Sequence, residues 1–192
     1  MTIWFTADTH YGHKNIVRGV SSWGNKSGCR DFDTIADMND AMVDSINAYV
    51  KEDDVLYHVG DLVMGLFENV TAFRERLLCR TIHLVLGNHD HNIRKDREGV
   101  QQLFASVQQQ SMICVDNQQM VLCHYPLHVW QNHHRGTWHL HGHTHGKLND
   151  PSFYQRKVMD VGIDTHSEFR PYAFDEIKGI LAQREVVHLD FD

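Results

Sequence analysis

Short apolar runs recur along the chain, and each one ends at a histidine, aspartate or asparagine. The runs are rich in branched and aromatic side chains, which is typical of buried strands. They occupy residues 3–7, 55–60, 82–87, 120–123 and 138–142. Side chains that directly follow such strands collect at one edge of an α/β sheet, where these folds place their binding crevice. The pattern therefore predicts a sheet with one polar, functional edge.

Between these runs, the spacing of apolar residues changes to that of helices. Residues 34–50 carry apolar side chains at helical spacing, with Asp33 or Thr34 available as the N-terminal cap. Two further helices are predicted at 68–79 and 98–105, and a short helical turn at 174–178. Additional strands are predicted at 111–115, 119–124, 136–141, 158–163 and 183–191. The first two of these predict a hairpin that turns near residues 116–118.

The order of the predicted elements indicates the fold class. Strands and helices alternate in the first half of the chain, and the second half is richer in strands. This order predicts an α/β fold in which two packed sheets have helices on the outside. A length of 192 residues fits a single domain over residues 1–192.

Composition and charge narrow the classes of protein that fit. No apolar stretch reaches the length of a membrane span, and no signal segment is recognisable at the start, so we expect a cytoplasmic protein. The net charge of −7 argues against stable binding of duplex nucleic acid. The four cysteines lack CxxC spacing, so we expect free thiols rather than disulfides or a thiolate zinc site. A homodimer is compatible with the sequence.

The residues that follow the strands form a chemically coherent set. They comprise three carboxylates, one amide and five imidazoles, namely Asp8, Asp61, Asp90, Asn88, His10, His89, His124, His143 and His145. Oxygen and nitrogen donors without cysteine suit divalent Mn, Fe, Zn, Ni or Co. The number of donors predicts a site for two metal ions per chain, with Mn²⁺ the ion we expect to work best in vitro.

The order of these motifs, DxH, GD, GNHD, H and GHTH, resembles that of the calcineurin-like metallophosphoesterase superfamily. The opening segment Phe5-Thr6-Ala7-Asp8-Thr9-His10-Tyr11-Gly12-His13 resembles a small bacterial and phage branch of it. Val161-Gly162-Ile163-Asp164 and Pro171-Tyr172-Ala173-Phe174 resemble the same branch. The resemblance implies a four-layer α/β/β/α sandwich of two mixed sheets flanked by helices.

The resemblance also implies the ligand sets. One metal would be held by Asp8, His10, Asp61 and His145, and the other by Asp61, Asn88, His124 and His143. Asp61 would bridge the two ions. A metal-bridging hydroxide would then attack a phosphodiester or phosphomonoester of a small or nucleotide-like substrate.

Four further residues receive roles beside the metals. The resemblance implies that His89 acts as the general acid, and Asp90 either orients His89 or is a solvated turn residue. His13 faces the substrate or supports the site, or else is a simple loop residue. His141 is a candidate to face the substrate or to hydrogen-bond a metal ligand.

Other functions remain open at this point. One is a catalytically silent metal-binding scaffold, and another is a short single-strand nuclease. A third, weaker alternative is metal sequestration by the histidine-rich segment 124–145. A protein Ser/Thr phosphatase is disfavoured because the arginine that such enzymes carry just after the GD motif is absent.

Two long loops, 18–31 and 127–136, are placed where they could cover the crevice. Trp23 and Trp130 lie in these loops and could stack on a nucleobase. Packing against the core is the favoured interpretation for both tryptophans. For His128, His133 and His134 of the second loop, a solvated position is favoured over a substrate lid.

Overall fold

The computed structural model describes residues 1–187, with the side chain of Arg97 excepted. Within these residues the chain forms two mixed β-sheets. The first sheet contains five strands: β1 (Ile3–Thr6), β2 (Val55–His58), β3 (Thr81–Val85), β4 (Ser106–Gln108) and β9 (Tyr172–Ala173). The second contains four: β5 (Gln110–Val115), β6 (Gln118–Cys123), β7 (Trp138–His141) and β8 (Val158–Asp160). The strand orders are β4-β3-β2-β1-β9 and β5-β6-β7-β8.

The register of the strands aligns their ends. In the first sheet β1 to β4 are parallel, and Thr6 pairs with His58, which in turn pairs with Leu84. Only β9 runs antiparallel to its neighbour β1 among the described strands of this sheet. In the second sheet β6, β7 and β8 are parallel, while β5 and β6 form an antiparallel hairpin. Loops that leave parallel strands therefore emerge at the same edge.

The helices lie outside the two sheets. They are α1 (Ile35–Tyr49), α2 (Phe67–Arg76), α3 (His91–Arg94), α4 (Pro151–Tyr154) and α5 (Phe174–Ala182). Thr34 caps α1 in a capping box with Asp37, since each residue's side chain accepts a hydrogen bond from the other's backbone amide. Of the two caps that the sequence allowed, the structure uses Thr34.

Apolar side chains fill the space between these layers. One cluster joins α1 and α2 to the outer face of the first sheet through Met42, Ile46, Phe73, Leu56 and Ile82. A second fills the space between the two sheets, with Phe5, Val85, Met120, Leu140 and Ile177 among its members. On the outer face of the second sheet, a smaller cluster includes Trp130 and Phe153 of α4. The predicted sandwich of two mixed sheets flanked by helices is confirmed.

Several elements differ from those that the sequence predicted. The helix predicted at 68–79 ends at Arg76. The helix predicted at 98–105 is a 3-10 helix, Arg97–Leu103, interrupted by left-handed backbone at Glu98 and Gly99. Short elements β4, β9, α3 and α4 are too brief to give a periodic signal. The strand predicted at 183–191 falls partly outside the described residues, and up to residue 187 only an isolated bridge between Arg156 and Glu185 occurs there.

Two expectations from composition can be compared with the structure. Cys29, Cys79, Cys114 and Cys123 are all free, and Cys114 pairs across the hairpin with Gln119 rather than with Cys123. The hairpin turns through Asp116 and Asn117, both with left-handed backbone, as a two-residue turn requires. Each helix described within residues 1–187 is too short or too polar to span a lipid bilayer.

Candidate metal centre

Five loops meet where the two sheets end at a common edge. The loops after β1 and β2 are joined by hydrogen bonds from the Asp8 amide to the Gly60 carbonyl (2.9 Å) and from the His10 amide to the Asp61 carbonyl (3.0 Å). In the second sheet, the Gly142 amide donates to the His124 carbonyl (3.0 Å). The backbone itself therefore fixes the positions from which the predicted ligands extend.

Most of the predicted ligands have an unusual backbone conformation. Left-handed φ angles between 48° and 71° occur at Asp8, His10, Asp61, His143 and His145. This region is sparsely populated by residues other than glycine, although aspartate, asparagine and histidine tolerate it best. Such strain clusters at functional sites, because the surrounding structure must hold it in place.

Two glycines let the carboxylates lie against the backbone. A Cβ atom on Gly87 would be 2.2 Å from Asp61 Oδ1, and one on Gly142 would be 2.6 Å from Asp8 Oδ2. Neither position leaves space for a side chain. The glycines that end these apolar runs are thus required by the close approach of the two aspartates.

The side chains gather into two clusters that could each hold a metal ion. The first contains Asp8, His10 and His145, and the second contains Asp61, His124 and His143. Asn88 joins the second, since its Oδ1 lies 3.1 Å from His124 Nε2 and 2.9 Å from His143 Nδ1. All seven residues that the sequence analysis assigned to metal binding lie in these two clusters.

Asp61 lies between the clusters. Its Oδ2 is 3.6 Å from His10 Nε2 of the first cluster and 3.4 Å from His124 Nε2 of the second. Its Oδ1 accepts a hydrogen bond from the His89 amide (2.8 Å). One carboxylate oxygen is therefore held by the backbone, while the other faces donor atoms of both clusters.

The chemistry of the second cluster favours a cation. His124 Nδ1 contacts the Val59 carbonyl at 2.9 Å, so in the neutral ring Nδ1 carries the proton and Nε2 bears a lone pair. That lone pair faces the oxygens of Asn88 and Asp61. Burial favours the neutral ring, but the Asp61 carboxylate outweighs burial and raises the pKa of His124 above its ordinary value. Positive charge is thus stabilised where the three acceptors meet, and these donors fit a divalent metal ion.

The first cluster shows the same need for positive charge. Asp8 is completely buried, and burial raises the pKa of its carboxyl group to about 7. Its two oxygens accept the His143 amide at 3.1 and 2.9 Å. A buried carboxylate is costly unless a cation compensates its charge. Asp8 with two imidazoles also fits a divalent ion.

Two residues that the sequence analysis did not assign to the site support the first cluster. Asp164 Oδ2 contacts His145 Nδ1 at 2.6 Å, so the ring presents Nε2 to the cluster. Arg30 of the 18–31 loop is buried, and its guanidinium donates to both oxygens of Asp164 and to the carbonyls of Asp8 and Thr9. A carboxylate behind a ligand histidine fixes the ring's tautomer and orientation. Asp164 belongs to a segment noted in the sequence, but no periodicity or spacing singles out Arg30.

The role predicted for Asp90 needs correction. Asp90 is 1% exposed, and its carboxylate accepts hydrogen bonds from the amides of Asp61, Gly87 and Leu62 at 2.8 to 2.9 Å. Among the described residues, no hydrogen bond joins it to the His89 ring. Asp90 is therefore neither a solvated turn residue nor an orienting partner of His89. It positions Asp61 by tying together the loops after β2 and β3.

The sequence profile of the Calcineurin-like phosphoesterase family matches residues 1–147, a range that includes every candidate ligand. The chain belongs to this family. The resemblance drawn from the motif order is thereby confirmed, and the general activity is that of a metal-dependent phosphoesterase.

The proteins that are similar to this phosphoesterase align with almost its whole length. An uncharacterized protein of Methanocaldococcus jannaschii is 26% identical, covering 96% of this chain and 94% of the relative. The Gene 66 protein of Mycobacterium phage D29 is 25% identical, covering 92% and 94%. The crystal structure of a protein of unknown function from Aquifex aeolicus has a TM-score of 0.67 at 19% identity, covering 93% of this chain and 98% of that one. This likeness shows the shared fold.

Three further histidines of this phosphoesterase were assigned roles. The ring of His89 is 36% exposed, with Nε2 4.0 Å from Asp61 Oδ2, and lies at the mouth of the site. His13 is half-buried, and its ring centroid lies 5.4 Å from that of His10. His141 is fully buried against Phe153 and Tyr154, and its Nδ1 contacts the adjacent Gly142 carbonyl. Across the residues that the structure describes, no hydrogen bond joins His141 to a ligand side chain, and the one hydrogen bond of its ring is to the backbone next to His143.

The tryptophans of the two long loops differ in their exposure to solvent. Trp130 is buried, as expected, and its Nε1 donates to the Thr137 carbonyl (2.8 Å). Trp23 is 47% exposed and contacts His13, so the favoured packing interpretation is wrong for this residue. His133 is buried beside Trp130, which excludes a solvated position.

Proposed function

We propose that this phosphoesterase uses two divalent metal ions to hydrolyse a phosphodiester or phosphomonoester of a small or nucleotide-like substrate. One ion would be held by Asp8, His10, Asp61 and His145, and the other by Asp61, Asn88, His124 and His143. The position of Asp61 Oδ2 between His10 Nε2 and His124 Nε2 is the observation that supports this proposal most directly.

The chain's own residues supply the remaining parts of the reaction. Bound divalent ions would polarise the phosphoryl group and lower the pKa of a nucleophilic water. Asp61 would offset the mutual repulsion of two bound cations, because its carboxylate faces both clusters. His89 lies beside this carboxylate with its side chain partly open to solvent, which suits it to donate a proton to the leaving oxygen.

The net charge of the chain limits the classes of substrate that fit. A net charge of −7 disfavours a long polyanion, which would need a basic track. A small phosphoester needs no such track, since the metal ions are the strongest local charges. This favours a small substrate over duplex nucleic acid and leaves a short single strand as the alternative.

A catalytically silent scaffold is the less favoured function. A scaffold has no need to retain a complete ligand set together with an exposed histidine at its mouth. Here all seven candidate ligands converge, and five of them keep a strained backbone to do so.

The test is hydrolysis of bis-p-nitrophenyl phosphate by metal-stripped protein after Mn²⁺ is added back. The monoester p-nitrophenyl phosphate is assayed in parallel, and bound metal is counted by elemental analysis. We expect two ions per chain and turnover that requires them. A diester preference would direct the search to nucleotide diesters, and a monoester preference to phosphatase substrates. Two bound ions without turnover on either ester would contradict the proposal in favour of a scaffold.

A further inference from the structure

Exposed aromatic side chains are concentrated at the metal centre. In the described part of the chain, three aromatic side chains are exposed: Tyr49 at 37%, Tyr125 at 45% and Trp23 at 47%. The exposed position of Tyr49 is explained by structural contacts, because its ring packs on Trp4 and its centroid lies 4.5 Å from the Arg170 guanidinium. The other two are attached to the site by ring contacts with histidines.

Trp23 lies on the side of the first cluster. Its ring centroid is 5.9 Å from that of His13, which lies 5.4 Å from His10 and 6.1 Å from His89. The loop around Trp23 is held in place, since the Ser21 hydroxyl accepts the Trp23 amide (3.2 Å) and Asn15 accepts the Ser22 amide (3.1 Å). An exposed tryptophan is thus held beside His13, whose ring in turn contacts the candidate general acid His89.

Tyr125 lies on the side of the second cluster. It directly follows His124, and its ring centroid is 5.2 Å from that of His124 and 4.9 Å from that of His143. Its carbonyl contacts the buried ring of His139 at 3.2 Å, which fixes the backbone at this point. Its ring is therefore held at the edge of the site with much of its surface open.

The two rings flank the site from opposite clusters. Trp23 reaches His10 through His13, Tyr125 touches His124, and Asp61 lies between His10 and His124. A phosphate bound beside Asp61 would therefore have one exposed aromatic ring on each side. Nucleobases stack on such rings, and any base can do so because each has a π face.

Resting on the function proposed above, we propose that Trp23 and Tyr125 are stacking platforms for two nucleobases, one on either side of the reacting phosphate. The substrate class is then a phosphodiester between two nucleosides, of dinucleotide size. The acidic surface agrees with this size, because no extended phosphate track is required.

The kinetic test compares three substrates on the metal-loaded protein. They are the dinucleotide thymidylyl-(3′→5′)-thymidine and its two analogues in which one nucleoside is replaced by an abasic tetrahydrofuran residue. We expect each lost base to lower kcat/KM by about tenfold, the effect of one base–aromatic stack. Trp23→Leu should remove the preference for one base, and Tyr125→Leu the preference for the other.

Two further variants serve as controls. Trp23→Phe retains a ring and should restore much of the base preference. Tyr49→Leu removes an exposed aromatic ring away from the site and should leave both preferences intact. If the wild-type protein hydrolyses all three substrates with kcat/KM values within twofold of one another, the proposal is overturned while the hydrolase function stands.

Fluorescence tests the platforms without turnover. The other three tryptophans, Trp4, Trp130 and Trp138, are buried, so a stacked base should quench the emission of Trp23 selectively. The dinucleotide should quench wild-type protein loaded with Zn²⁺ but not the Trp23→Leu variant. Quenching in a protein that shows no hydrolysis would support the platform and reject the enzyme function. Equal responses of wild type and variant would reject the platform.

Discussion

The guanidinium of Arg30 and the carboxylate of Asp164 are joined by two hydrogen bonds, each 2.8 Å long. Burial opposes the negative charge of Asp164, but the hydrogen bond from His145 and the charge of Arg30 outweigh it and hold its pKa well below the ordinary value. Asp164 in turn orients His145. The 18–31 loop is thereby connected to a candidate metal ligand through one carboxylate.

Replacing Arg30 by lysine tests this connection. Lysine keeps the charge but cannot make the paired hydrogen bonds or reach both carbonyls at once. We expect metal affinity to fall by about 10- to 100-fold, as is typical for partners that orient a ligand. Isothermal titration with Mn²⁺ measures the change. Arg18→Lys is the matched control, because Arg18 lies in the same loop and pairs with Asp31 at the surface. Equal affinities in the two variants would contradict the role of Arg30.

The variant His89→Ala would separate the proposed proton donation from metal binding. His89 is outside both ligand clusters, so two ions should still bind, while turnover should fall by roughly 10²- to 10⁴-fold. Elemental analysis and steady-state kinetics give the two quantities. His91→Ala, two residues further along and exposed, should change neither. Full activity in the His89 variant would remove the residue from the mechanism.

Gly87→Ala tests the close approach of Asp61. The added methyl group would lie 2.2 Å from Asp61 Oδ1 and 2.4 Å from its amide nitrogen, so Asp61 must move. We expect a loss of about 1–3 kcal/mol in the free energy of unfolding and fewer bound ions. Gly179→Ala is the control, since nothing lies near its Cβ position and alanine favours the helix α5. The Gly179→Ala variant should be slightly more stable than the wild type. A Gly87→Ala variant of the same stability would show that the added methyl group does not crowd Asp61.

Asp90→Asn tests whether the hydrogen bonds that the Asp90 carboxylate accepts hold Asp61 in position. The amide group retains one acceptor oxygen and places a donor against backbone amides that need an acceptor. The expected loss is about 1–3 kcal/mol in the free energy of unfolding, measured by urea denaturation. Asp53→Asn, at an exposed position, should unfold like the wild type. An unchanged midpoint for the Asp90 variant would show that its hydrogen bonds contribute little.

The strand ends were predictable because two local signals coincide there. Apolar runs such as 55–60 and 82–87 give the strands, and the residues that follow them give the ligands. The left-handed backbone at these residues has no periodic signal, but the choice of aspartate and histidine permits it. The main strands therefore follow from the apolar pattern, and the resemblance of the motif order to a known family supplied the seven candidate ligands that the structure gathers.

The remainder depends on contacts that sequence order does not contain. Asp90 looks like a turn residue locally, and only the folded loops bring the amides of Asp61 and Leu62 to it. Arg30 is far from Asp164 in sequence, and its loop is long and polar. Trp23 has the large apolar side chain that is expected of a core residue, but the 18–31 loop holds it at the surface. Each of these side chains is defined by long-range placement.

The left-handed backbone at Asp8, Asp61 and three of the ligand histidines limits how this chain can change. Branched side chains are excluded there, while glycine would relax the backbone and asparagine would fit it. An exchange to glycine thus removes a metal-binding group and leaves the loop backbone unstrained. Loss of catalysis and loss of the fold are therefore separable in this chain, and a single codon change would suffice to produce a folded, inactive descendant.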